Sequence, residues 1–144
     1  MTHRESVEEL QRLVRDRVDA IAAHDVEALV GVPVEDVLAF NVLPPLSLRG
    51  AEQVAEQTRG WLGSYAQGPG YEVRDLQVDA DEDLGFCAFL YHVTGTLRSS
   101  DSVSMWVRAT LVCRRIAGRW RVVHDHESIP WDSETGQGLP DLQP

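Results

Sequence analysis

His124, Asp125 and His126 stand in one apolar, strand-like run near the end of the chain, and residues two apart on a strand share a face. Paired imidazoles give and take protons near neutral pH, because histidine's ordinary pKa of about 6.5 lies there. Burial lowers that pKa and favours the neutral ring, which can both donate and accept. Such a pair suits general acid and base catalysis, or the orienting of a carbonyl, hydroxyl or carboxylate on a ligand. Two other readings stay open. Both rings can be core histidines that hold Ser128 or a backbone carbonyl, or they can supply two ligands to a metal. Zinc asks for a third or fourth ligand, and the sequence places no Cys, Asp or Glu to complete the set. The expectation is therefore no metal and no cofactor.

Which face the pair occupies depends on the hairpin before it. Ala117-Gly118 reads as a two-residue turn that sets Ile116 opposite Arg119. Carried up the strand unbroken, that register puts His124 opposite Leu111, His126 opposite Ala109 and Ser128 opposite Val107, on one side with Trp120 and Val122. The other side pairs Asp125 with Thr110, Glu127 with Arg108 and Ile129 with Trp106, a polar cross-strand ladder. The histidines are thus expected to face inward, on the more apolar side. Trp61 and Tyr65, on a helix expected to cover one mouth of a curved sheet, are candidates to wall an apolar pocket with Phe40 and Met105.

The elements that must position these residues fall in a simple order. Ser6 followed by Glu9 has the form of a capping box, and Val7, Leu10, Val14, Val18 and Ile21 then recur at helical spacing on one face. Asp25 can cap a short second helix. Residues 36–42 read as a strand that is short or at an edge, because Pro44-Pro45 cannot donate to a ladder. A third helix follows Gly50, with Ala51, Val54, Thr58, Trp61 and Tyr65 on its apolar face and a stop at Gly68-Pro69-Gly70. From Tyr71 the period changes from 3.6 to 2, and residues 71–80, 84–97, 103–116 and 119–129 read as four successive strands. Helices first and long antiparallel strands after give an α+β domain over residues 1–131, with an irregular tail over 132–144.

A chain of 144 residues is the length of one domain. Its formal net charge of −10 argues against a nucleic-acid groove, which needs a basic stripe. Cys87 and Cys113 lie in apolar runs and read as small core residues. The N-terminus passes straight into an amphipathic pattern, without an apolar stretch suited to a signal peptide or a membrane span. A cytoplasmic protein without a membrane partner is expected.

The chain resembles the SnoaL-like and ketosteroid isomerase-like branch of the nuclear transport factor 2-like superfamily. The resemblance is carried by the element order and by three stretches: Ala39 to Leu46 running on to Arg49-Gly50, Tyr71 to Leu76, and Gly118 to Pro130. The last stretch is also similar to the association domain of calcium/calmodulin-dependent kinase II. The resemblance implies a cone of three helices packed in the concavity of a curved, mostly antiparallel sheet, commonly paired as a homodimer. It implies a cofactor-free isomerase, cyclase or dehydratase acting on an apolar polyketide- or steroid-like carbonyl compound, or alternatively a non-catalytic ligand-binding or hub-like assembly domain. Where related isomerases place a general-base aspartate, near the end of the first strand, this chain has Asn41. An amide accepts no proton at neutral pH, so Asn41 can orient a ligand while His124 or His126 would act as the base.

Overall fold

The computed structural model describes residues 2–144; Met1, first residue of the expected domain, lies outside them. Helix α1 (His3–Ala22) begins one turn earlier than the Ser6–Glu9 pattern suggests. Thr2 Oγ1 accepts from the Glu5 amide at 3.1 Å, and the Glu5 carboxylate accepts from the Thr2 amide at 2.8 Å, which closes the capping box there. Ser6 is instead fully buried, and its hydroxyl accepts from Arg115 Nη2 at 3.1 Å while Glu9 pairs with Arg115 Nη1 at 2.9 Å. The expected cap is a contact between the helix and the sheet. Leu10, Val14 and Ile21 are buried as their spacing predicts.

Asp25 caps the short α2 (Val26–Val30) by accepting from the Ala28 amide. Strand β1 (Pro33–Phe40) follows, then the two-residue β2 (Leu48–Arg49) and α3 (Ala51–Gly63). That helix ends before Tyr65, which opens β3 (Tyr65–Ala80) opposite Leu97. Strand pairing therefore overrides the helical spacing at Tyr65, and Gly68-Pro69 lies within a strand rather than at a helix stop. The close approach of Tyr65 depends on Gly95, where an added Cβ would come within 2.8 Å of the Tyr65 ring.

Strands β4 (Leu84–Leu97), β5 (Ser102–Ile116) and β6 (Arg119–Ser128) complete a sheet in the order β2-β1-β6-β5-β4-β3. Among the described residues only β1 and β6 run parallel. Strand β1 is thus an interior strand, with β2 at the edge. The helices pack on one face of this curved sheet, over a core that includes Val37, Cys87, Val107, Leu111 and Cys113. The tail is more ordered than expected: β7 (Trp131–Asp132) pairs with β8 (Gln137–Gly138), and the Trp106 amide donates to the Pro140 carbonyl at 2.8 Å. Among the described residues no helix is long and apolar enough to cross a membrane.

One irregularity decides which residues face the helices. From the turn to Cys113 opposite Val122, β5 and β6 keep the expected register; the next pair is Val112 with His124. Val123 is the extra residue of a β-bulge. Beyond it Asp125 opposes Leu111 and Glu127 opposes Ala109, on the core side, while His124 opposes Val112 and His126 opposes Thr110, on the outer side. The inward placement expected for the histidines is corrected by that one residue, since a shift of one exchanges the faces of a strand. Arg108 accordingly stands opposite Ser128 and donates to its hydroxyl at 3.1 Å, and does not pair with Glu127.

Candidate functional site

Between the helices and the concave side of the sheet lies a cavity of about 810 Å³, large enough for a drug-sized ligand. Its walls are mostly apolar, with Val37 from β1, Val93 from β4, Met105 and Val107 from β5, and Trp120 and Val122 from β6. Trp61 and Tyr65 line it together, in edge contact with centroids 6.0 Å apart. Asn41 also lines it, but its amide donates to Gln57 Oε1, and Gln57 reaches the Pro44 carbonyl. Of the sequence-derived candidates the cavity therefore gathers Asn41, Trp61, Tyr65 and Met105.

At the polar part of the cavity two carboxyl groups, Asp125 and Glu127, meet residues from three other elements. Arg17 of α1 places Nη2 at 3.7 Å from Asp125 Oδ2 and 3.5 Å from Glu127 Oε2. Its Nε donates to the Tyr71 hydroxyl at 3.4 Å. Tyr91 donates to Glu127 Oε1 at 2.6 Å, and the Tyr71 and Tyr91 rings stack at 4.4 Å. Asp125 Oδ1 is buried without a hydrogen-bond donor among the described residues. Burial pushes the Asp125 carboxyl well above its ordinary pKa; the neighbouring Glu127 charge adds to this, and Arg17 opposes it. Burial likewise raises Tyr71 and Tyr91, with the Glu127 charge adding to the rise at both and Arg17 opposing it. These phenols stay protonated donors at neutral pH.

His124 and His126 are on the other side of β6, as is Phe40 of β1, and none of the three lines the cavity. The Phe40 ring meets His124 edge-on at 5.1 Å and His126 at 5.4 Å. His124 Nδ1 lies 2.7 Å from the Leu38 carbonyl, which accepts its proton and fixes the ring. His124 thus holds a backbone carbonyl, while His126 is in ring contact with Phe40 and His124. Among the described residues no group of three or more His, Cys, Asp or Glu side chains is placed to hold a metal.

Residues 10–132 match the family model of the SnoaL-like domain. The chain belongs to the SnoaL-like family. A solved nuclear transport factor 2-like protein of unknown function from Pseudomonas putida is similar over 100% of both chains, with a TM-score of 0.90 and 26% identity. A ketosteroid isomerase-like protein from Erwinia carotovora is similar over 86% of this chain and 95% of its own, with a TM-score of 0.73 and 17% identity. A proposed calcium/calmodulin-dependent protein kinase II association domain from Xanthomonas campestris covers 93% and 88%, with a TM-score of 0.74 and 18% identity. The last two likenesses show the fold alone. No curated protein matches the chain in sequence.

Within this SnoaL-like domain the residues that sequence reading missed are Arg17, Tyr71, Tyr91, Asp125 and Glu127. Alternation does place Asp125 with Glu127 on one face; only their side of the sheet is misread, because nothing in Val122-Val123-His124 announces a bulge. Arg17 sits among polar residues of α1, between the apolar positions Val14 and Ile21, so its helical phase carries the signal of an inward cation. What the assembled group can do is hold a proton on one carboxyl beside a carboxylate that can take another, at the end of an apolar chamber.

Proposed function

We propose that this protein binds an uncharged, apolar small molecule by its oxygen-bearing end and moves a proton on it through Asp125 and Glu127. The observation that carries this reading is the inward pair of carboxyl groups lining the cavity, one of which, Asp125, has a buried Oδ1 without a hydrogen-bond donor among the described residues. With one proton on the pair, its single negative charge balances Arg17, so a neutral ligand adds no unpaired charge to a low-dielectric site. A polyketide- or steroid-like carbonyl compound fits this description. Asp125 gives its proton to the carbonyl oxygen, Glu127 takes the proton from the adjacent carbon, and the electron pair of that C–H bond becomes the double bond of the enol. Reversal at another carbon completes an isomerisation, and the acid and base are both side chains. A homodimer goes with this reading, as the family resemblance implies; light scattering at twice the chain mass is the expected result.

The test is deuterium uptake from heavy water at the α-carbon of polycyclic enones, followed by NMR. Exchange should depend on the protein and fall about 10²–10⁴-fold in Asp125→Asn, the usual worth of a positioned acid. Equal exchange in wild type and Asp125→Asn overturns the reading.

A second reading, a non-catalytic binding domain, is favoured by Asn41. Its amide stands where related isomerases carry their base, and it is engaged with Gln57. On this reading the same enones shift the melting temperature and acquire no deuterium.

A further inference from the structure

The two carboxyl groups are not equivalent, and the difference originates in neighbouring elements. Glu127 receives the Tyr91 hydroxyl at 2.6 Å on Oε1 and faces Arg17 at 3.5 Å on Oε2, so both of its oxygens meet a donor or a cation. Asp125 meets Arg17 at 3.7 Å on Oδ2 and lies against the Glu127 carboxyl, and its Oδ1 has no donor among the described residues. We propose that Arg17 is a positioning residue which, together with Tyr91, holds Glu127 as the carboxylate and leaves Asp125 as the side chain that carries the transferable proton. This rests on the pocket chemistry proposed above, whose reaction needs one acid and one base in fixed places.

The surroundings of Asp125 support the division of roles. Facing it are Glu127 on its own strand, Arg17 of α1, Tyr71 of β3 and the Cys113 thiol of β5, while β1 pairs Ala39 with it and Tyr91 of β4 faces Glu127. Tyr71 spends its contact on Arg17 Nε and so orients the guanidinium. Among the described residues Arg17 is the cation paired with both carboxyls, so its charge can select between them. A charge-assisted contact reinforced by a hydroxyl donor stabilises the ionised form of the group that receives both.

The experiment is a ¹³C-carboxyl NMR titration of the full chain, which needs no ligand. In the wild type the Asp125 signal should titrate above the ordinary carboxylate range, and at neutral pH the Glu127 signal should be that of a carboxylate. Arg17→Leu should move the Glu127 signal toward that of the acid. Tyr91→Phe, which keeps the ring stacked on Tyr71, should move it the same way by less. Arg17→Lys should restore part of the change. A wild-type Glu127 signal of the acid form, or signals unmoved by both Arg17→Leu and Tyr91→Phe, would overturn the assignment, including the case where those variants lose only thermal stability. Should the titrations behave as stated while Asp125→Asn leaves deuterium exchange untouched, the charge assignment stands and the catalytic reading falls.

Discussion

Strand β6 carries two polar pairs at the same spacing, and the molecule treats them oppositely. On the inner face Asp125 and Glu127 meet one arginine and two tyrosines at the end of an apolar chamber. On the outer face His124 and His126 flank Phe40, and His124 is tied to the Leu38 carbonyl. By residue type alone the histidines are the better proton carriers at neutral pH. On the proposed reading placement reverses that ranking, because burial and a like charge raise the Asp125 carboxyl, while the two rings lie outside the cavity.

Four measurements would break or sharpen this contrast. The largest effect belongs to Asp125→Asn, with loss of proton transfer by about 10²–10⁴-fold, read as deuterium exchange. Next is the pH dependence of stability. Burial holds the Asp125 carboxyl well above its ordinary pKa in the folded chain, so the fold binds a proton that the unfolded chain has released. Stability from this group is complete below that value and is lost as pH rises toward the folded one. Urea unfolding should show a decline of up to about 1.4 kcal/mol per pH unit over this window, flattened in Asp125→Asn; a stability that rises with pH there and is insensitive to the substitution contradicts the buried acid. Third, Trp61→Ala removes an aromatic wall and should weaken binding of a polycyclic ligand about tenfold, or ~1.4 kcal/mol, by calorimetry. Smallest is His126→Ala on the exposed side of the strand, with stability changed by no more than about 0.5 kcal/mol and exchange unaltered. A loss there equal to that of Asp125→Asn would erase the distinction between the two faces.

Much of the architecture is legible along the chain, because it follows from periodicity. The apolar stripe Leu10, Val14, Ile21 and the switch to period 2 after the third helix give the helices-then-sheet order directly. The failures have specific causes. Ser6 and Glu9 imitate a helix cap but serve Arg115, a residue more than a hundred positions away. Tyr65 keeps helical phase with Trp61, yet pairing with Leu97 draws it into a strand. Trp61 and Met105 do reach the cavity, since each sits on an element whose inner face is set by helical phase or alternation, and Asn41, one residue past β1, continues the alternation of Val37 and Ala39.

The amino-acid order by itself determined the element types, the α+β class and the fact that Asp125 shares a face with Glu127 and His124 with His126, because these depend only on neighbours in the chain. Which pair faces inward was decided by the tertiary structure, through the bulge at Val123 and the arrival of Arg17, Tyr71 and Tyr91 from other elements. The physical reason is one of range: a repeat period is a local property, whereas the side of a sheet that is covered, and the countercharge that makes a buried carboxyl tolerable, come from distant segments.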